Sequence, residues 1–409
     1  MTFQRRGACP SLSAPMSTGD GLLVRINPLD GALTPAQLAA IAQAAARFGN
    51  GLLEITSRGS LQIRGLTDAT VAPFSKAISA LDIGTGSGIG VRTGPLAGVD
   101  ALEITDPRPV AEKLRRAIAA RGFAGQVAPK ISITVDGGGV LNLSAIPADV
   151  RIEAVAMPRG TSWGVRIGGN SVLGQGDENS ALQAALDALA LLVEPTRRRR
   201  GRDLTSGELA KLGALLLQPQ GMFEARGETI KPVGIFPLKD GSVAHGFALG
   251  FGQIGSEALT RFVAALDPAR EIRLAPDYGF LVLGLPETES THLSEIADEC
   301  GLVARGDDPR LRIVTCAGAP ACASAYLRTK AIAKTVIAER PDLLTEIPTL
   351  HVSGCGKQCS KPNGPVVSVI GVAGGSEVET EGVGVNDDLR GFLARLAAAH
   401  MTSVAGYPV

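Results

Sequence analysis

Leu22, Val24 and Ile26 lie on one side of an alternating stretch, which predicts a strand, and Leu29-Asp30-Gly31 predicts the turn that ends it. Thr34, Pro35 and Gln37 then form a capping-box-like helix start. Leu38, Ile41, Ala45 and Phe48 follow at helical spacing, up to a Gly49 placed to stop the helix. LLEIT at 52–56 and SLQIR at 60–64 predict a hairpin. The same order returns over 244–285, where Leu259 matches Leu38 and Gly284-Leu285 match Gly65-Leu66, with a two-residue length change between these anchors. Two β-α-β units in one chain predict a pseudo-twofold duplication.

The two copies differ in polarity. Arg25 falls opposite Gly246, and Thr56, Arg58 and Gln62 fall opposite Ala275, Asp277 and Leu281. Arg25, Arg58 and Arg64 on one copy are consistent with a one-sided anion site, or with a solvated outer strand face. Between the copies, residues 127–147 predict two strands around a Gly-rich turn, with Lys130 just before the first. Residues 181–204 predict a helix running into a basic stretch at 197–202, which suits a solvated linker at a domain boundary or contact with a polyanion. The glycines at 84–90 do not make G-x-G-x-x-G, and G-x-x-x-x-G-K-[ST] is absent, so no nucleotide fingerprint is present.

Composition narrows the chemistry. A chain of 409 residues with 45% apolar residues predicts two or three domains with sizeable cores. Zero formal net charge removes any global pull toward nucleic acid or anionic membrane, and no apolar run approaches the ~18 residues of a membrane span. MTFQRRGACPSLSAP is basic but lacks the apolar stretch of a secretory signal, so a reducing cytoplasm is expected, where structural disulfides are rare. Yet four of six cysteines come in pairs: Cys316 and Cys322 as C-x5-C, Cys355 and Cys359 as C-x3-C. Zinc ribbons and fingers favour C-x2-C or C-x4-C knuckles. Four thiols on Gly- and Pro-rich loops suit a [4Fe–4S] cluster, with the small residues of SGCGKQC allowing close backbone approach and Lys357 offsetting negative charge. Cys300, at the end of a helical stretch, and Trp163 suggest packing. Cys9 is a weaker candidate for an iron ligand, and His351 is the histidine nearest the cysteines in sequence.

That cysteine pattern, downstream of a unit bearing ITSRGSLQIRG, resembles the sirohaem-type nitrite and sulfite reductases. Members often read TTRQ-x-x-Q where this chain has TSRGSLQ, and GPLAGVDALEITDPRP at 94–109 is similar to their P-x-A-G-x-D segment. The resemblance implies an α+β fold, with two ferredoxin-like half-domains about a pseudo-twofold axis plus two α/β domains. The expected boundaries are 1–75, 76–200, 201–295 and 296–409. It further implies a flat tetrapyrrole against the cluster, with Cys359 bridging to a tetrapyrrole iron and Arg25 and Arg58 holding macrocycle carboxylates or a small anion.

Two departures choose a branch. Sulfite-handling members carry Lys-x-Lys where this chain keeps Lys130 but has Ser132. RRGACPSLSAPMSTGDGLLVRI resembles a cobalamin-pathway branch, in which the tetrapyrrole is the substrate. That branch implies hydroxylation of precorrin-3A at C20 with O2 and closure of a γ-lactone by the ring A acetate. It also implies an additional iron centre beside the cluster, and a separate reductase or ferredoxin as electron donor. Arg25, Thr56, Arg58, Gln62, Arg64 and Lys130 would then contact the carboxylate-rich substrate. Bound sirohaem belongs to the alternative, an assimilatory sulfite or nitrite reductase.

Overall fold

A computed structural model describes residues 10–84, 88–169, 171–194, 196, 198–214, 216–217 and 230–402. The first unit forms a sheet in the order Met16–Thr18, Gly21–Ile26, Leu61–Leu66, Leu52–Ile55, completed by Gln253–Gly255 from the second unit. The second forms Gly234–Pro237, Val243–Leu249, Gly279–Leu285, Glu271–Ala275, completed by Ala32–Leu33 from the first. Each sheet thus carries one strand of the other. The exchange is symmetric: Leu33 pairs with Ile272, and Ile254 with Leu53.

The helix Pro35–Phe48 begins as its sequence predicts, with Thr34 Oγ1 accepting from Gln37 N and the Gln37 side chain returning to Thr34 N. It packs on its counterpart Ser256–Ala264, and the apolar faces of both sheets close one shared core around Ile41, Phe74, Phe262 and Phe280. Backbone conformations repeat across the duplication. Asp30 and Phe251 both have positive φ, as do Gly31 and Gly252, and Gly65 and Gly284.

A second core lies under the sheet Ser171–Gly176, Gly160–Ile167, Val150–Met157, Ser132–Asp136, Gly90–Arg92, covered by helices Arg108–Ala120 and Glu178–Leu192. Leu204, Leu212 and Leu216 are buried in it, so the chain stays with this core beyond the expected boundary at 200. The basic run is not a free linker. Arg199 pairs with Glu208, and Arg200 pairs with the buried Asp149; Arg197 lies outside the described residues. The second strand expected within 127–147 is also absent. Residues 137–149 form an irregular loop because carboxylates take its N–H groups: Asp136 accepts from Gly138 and Leu143, and Asp100 from Val140.

The last unit is a sheet of Ile313–Thr315, Leu350–Ser353, Val366–Val372 and Gly375–Glu381, the first three parallel, with helices Thr329–Glu339 and Asp387–Ala399 over a third core. No helix among the described residues is long and apolar enough to cross a membrane.

Candidate active site

Thr315 pairs with Val352 in parallel register, so Cys316 and the SGCGKQC loop leave adjacent strands at the same edge. The two cysteine loops interlock. Gly354 N–H donates to Cys316 Sγ at 3.1 Å, Tyr326 N–H to the Gly354 carbonyl at 2.7 Å, and Cys322 N–H to the Gly318 carbonyl at 2.8 Å. Their approach depends on glycine. A Cβ on Gly354 would sit 2.6 Å from Ala325 Cβ, and one on Gly318 would sit 2.2 Å from Thr329 Oγ1.

Burial pushes the Cys316 thiol up, opposed by backbone N–H donors and reinforced by the neighbouring Cys322 and Cys355. Three thiols close enough to repel as thiolates, with an N–H already aimed at one sulfur, fit the thiolate-and-amide environment of an iron–sulfur cluster. Among the described residues, no three His, Cys, Asp or Glu side chains converge on a single ion position. A four-iron cube does not require it, since each thiolate binds a different iron. Cys9, the weaker candidate for an iron ligand, lies outside the described residues.

Lys357, expected to offset cluster charge, instead donates to Ser324 Oγ at 3.0 Å on the exposed side of the loops. A cation on the inner side of the loops is Lys330, which donates to the Phe251 carbonyl. Burial holds its ammonium below the usual lysine range, against the pull of Glu54 and Cys316.

His351 anchors the second cysteine loop, with Nδ1 3.1 Å from Ser368 Oγ and Nε2 3.2 Å from Ser360 Oγ, next to Cys359. Burial, then Lys361, lowers its pKa from 6.5 to about 4. The folded state therefore favours neutral imidazole: its contribution is complete above pH 6.5 and is lost as pH falls toward 4. We expect wild type to lose on the order of 1–3 kcal/mol through this group between those limits. Denaturant midpoints of wild type and His351→Gln should converge as pH falls from 7 to 4.5, and a constant gap would contradict the assignment.

The basic residues of the first unit occupy unlike places. Arg25 Nη2 donates to Gln62 Oε1 at 2.6 Å, and Gln62 Nε2 to Glu54 Oε2 at 3.0 Å. Arg58 is exposed at the hairpin turn, where Thr56 Oγ1 accepts from the N–H groups of Arg58 and Ser60, and the Arg58 carbonyl accepts from Arg92. Arg64 is set apart from them by burial. It is 3% exposed, gripped by Asp20 at 3.0 Å through two nitrogens and by Glu54 at 3.4 Å, and it donates to the Ala321 carbonyl beside Cys322. Its role in the structure is to fasten the first sheet to the cysteine loop. Lys130 is exposed with φ 71°, its carbonyl accepting from Arg200. The hydroxyl of Ser132 donates to the Pro147 carbonyl.

In the second unit, Asp277 stands where Arg58 stands in the first. Burial raises its carboxyl, opposed by Lys231. Tyr278 beside it rises to about 12 through burial and then Asp277, with its hydroxyl bonded to Ser57. No local pattern marks Asp20, Glu54 or Lys330: Asp20 meets Arg64 across 44 residues, Glu54 meets Gln253 across 199, and Lys330 meets Phe251 across 79.

The architecture has solved counterparts. It superimposes on the NirA protein of Mycobacterium tuberculosis with a TM-score of 0.72 over 88% of this chain and 73% of that one, at 20% identity. Residues 14–81 match the nitrite/sulfite reductase ferredoxin-like half domain. These place the fold in the nitrite/sulfite reductase class, as the sequence resemblance implies. Within that class the ferredoxin–nitrite reductase of Synechococcus elongatus is 24% identical over 94% of this chain and 83% of its own length. The assimilatory ferredoxin-dependent nitrite reductase of Haloferax mediterranei is 21% identical over 89% and 73%. A precorrin-3B synthase from Sinorhizobium is much nearer, 40% identical over 91% of this chain and 82% of its own. The chain belongs to the precorrin-3B synthase family, a branch of these oxidoreductases.

Proposed function

We propose that this protein is an oxygenase of cobalamin biosynthesis that takes precorrin-3A to its C20-hydroxylated γ-lactone. One atom of O2 enters the macrocycle and the other leaves as water, with two electrons and two protons supplied. Cys316, Cys322, Cys355 and Cys359 would hold a [4Fe–4S] cluster, which supplies single electrons from a separate ferredoxin-type donor. The remaining work falls to the chain's own side chains. Arg25, set by Gln62, and the exposed Arg58 give charge-assisted, oriented contacts for a ring carrying eight carboxylates, with Lys130 as a further cation.

One observation carries this reading. The sheet bearing Arg25 and Arg58 is tied directly to the cysteine loop through Arg64 and Ala321, so a bound macrocycle and the thiols keep a fixed separation. Sulfite reduction fits less well. Ser132 is neutral, and Arg200, which shares Asp149 with the Ser132 N–H, is already neutralised by that carboxylate. Turnover of precorrin-3A under 18O2 should give a product one oxygen heavier that carries the label, and sulfite with an artificial donor should give negligible sulfide. Label arriving only from water, or efficient sulfide release, would overturn the oxygenase reading.

A further inference from the structure

Glu54 is a buried carboxylate on a strand otherwise given over to core packing, 7% exposed. It accepts from Gln62 Nε2 at 3.0 Å, Gln253 Nε2 at 3.3 Å and Arg64 Nη1 at 3.4 Å. Burying a carboxylate is costly unless such donors surround it, and replacing such a group by apolar packing is often neutral or favourable. The duplication supplies the comparison within one molecule. Strand pairing sets Glu54 opposite Gln62 and Gln62 opposite Arg25; in the other unit the same pairings join Arg273, Leu281 and Gly246. Arg273 there bonds Glu271 and the carbonyls of Pro95 and Ala97, a contact with the middle domain and no part of a polar chain. The second sheet therefore forms its strand pairings without a Glu-Gln-Arg chain at these positions.

The polarity of that chain has a direction. A carboxylate can only accept, so it draws the NH2 end of the Gln62 amide toward itself and turns the carbonyl end outward. That carbonyl then accepts from Arg25 Nη2 at 2.6 Å. With Glu54 neutral, either end of the Gln62 amide could face inward, and an NH2 facing Arg25 would push the guanidinium away. We propose that Glu54 is a positioning residue: without touching the substrate, it fixes the Gln62 amide and through it the Arg25 guanidinium that binds a carboxylate of the macrocycle. This rests on the tetrapyrrole-binding role given to Arg25 above.

The test uses the full-length protein and uroporphyrin, a tetrapyrrole octacarboxylate, with binding followed by porphyrin fluorescence and needing no turnover. Glu54→Gln should weaken binding about tenfold, the scale of one hydrogen bond to a charged group. Arg25→Ala should weaken it at least as much, and the double variant should bind no worse than Arg25→Ala alone. Gln62→Leu puts into this sheet the residue its twin already holds; it should reproduce the Glu54→Gln loss even where Glu54→Gln itself folds poorly. Full-strength binding by both Glu54→Gln and Gln62→Leu, or additive losses in the double variant, would overturn the positioning role while leaving Arg25 as a ligand. Failure of wild type to bind, or an Arg25→Ala protein that binds normally, would instead remove the cradle reading itself.

Discussion

Cys322→Ser should give a protein without the broad absorbance near 400 nm, roughly, that marks an iron–sulfur cluster, and without turnover. The same result is expected at Cys316, Cys355 and Cys359. The loss should extend to stability, because a cluster held between loops from two adjacent strands contributes binding energy to the fold. Cys300 provides the control. It is buried in the shared core, where Arg261 Nε lies 3.3 Å from its sulfur, and Cys300→Ala should leave iron and sulfide content unchanged. Full sulfide content in Cys322→Ser, or its loss in Cys300→Ala, would refute the ligand assignment.

Arg58→Ala should weaken binding of the polycarboxylate macrocycle by about 1.5–3 kcal/mol, the range for hydrogen bonds to charged groups, which is roughly 10- to 150-fold in Kd. Arg58 is exposed at the tip of its hairpin, and its backbone conformation makes no special demand, so alanine should fold as well as arginine. The matching position in the other unit needs a different substitution. Asp277 has φ 55°, a conformation that asparagine tolerates and alanine resists, so Asp277→Asn isolates the charge from the backbone. It should leave binding nearly unchanged. Equal losses from the two variants, measured by titration, would mean that both halves of the duplication bind anions.

Features carried by neighbours in sequence were legible from the sequence. Thr34 and Gln37 announce their helix because a capping box is a contact between residues three apart, and the repeat was visible because matched strand irregularities with positive φ need matched glycines, as at Gly65 and Gly284. The cysteine pairs were legible because loop spacing governs which thiols can share a cluster. Long-range partnerships were hidden. Arg64 reads as a third arginine of the same unit because its carboxylate partners are not its immediate sequence neighbours: Asp20 is 44 residues away, and Glu54, across the hairpin, is 10 away. The strand expected after Gly137 failed similarly, since Asp100, 40 residues earlier, holds Val140 in a loop. Lys357 has the right charge in the right motif yet points outward, whereas Lys330, in an unremarkable helix start, is enclosed near Cys316.

The reciprocal strand exchange also sets a schedule for biosynthesis. Leu52–Ile55 leaves the ribosome roughly 200 residues before Gln253–Gly255, the strand that covers its outer edge, a gap of about 10–40 s at ordinary translation rates. Throughout that interval the nascent first sheet shows an uncapped apolar edge, the kind of surface that pairs with any available strand. Two chains emerging side by side could therefore trade their partners with one another instead of within themselves. Crowded ribosomes on one message, or slow elongation that prolongs the uncovered interval, should enrich interlocked dimers and aggregates, whereas sparse ribosomes and fast elongation should favour exchange within one chain.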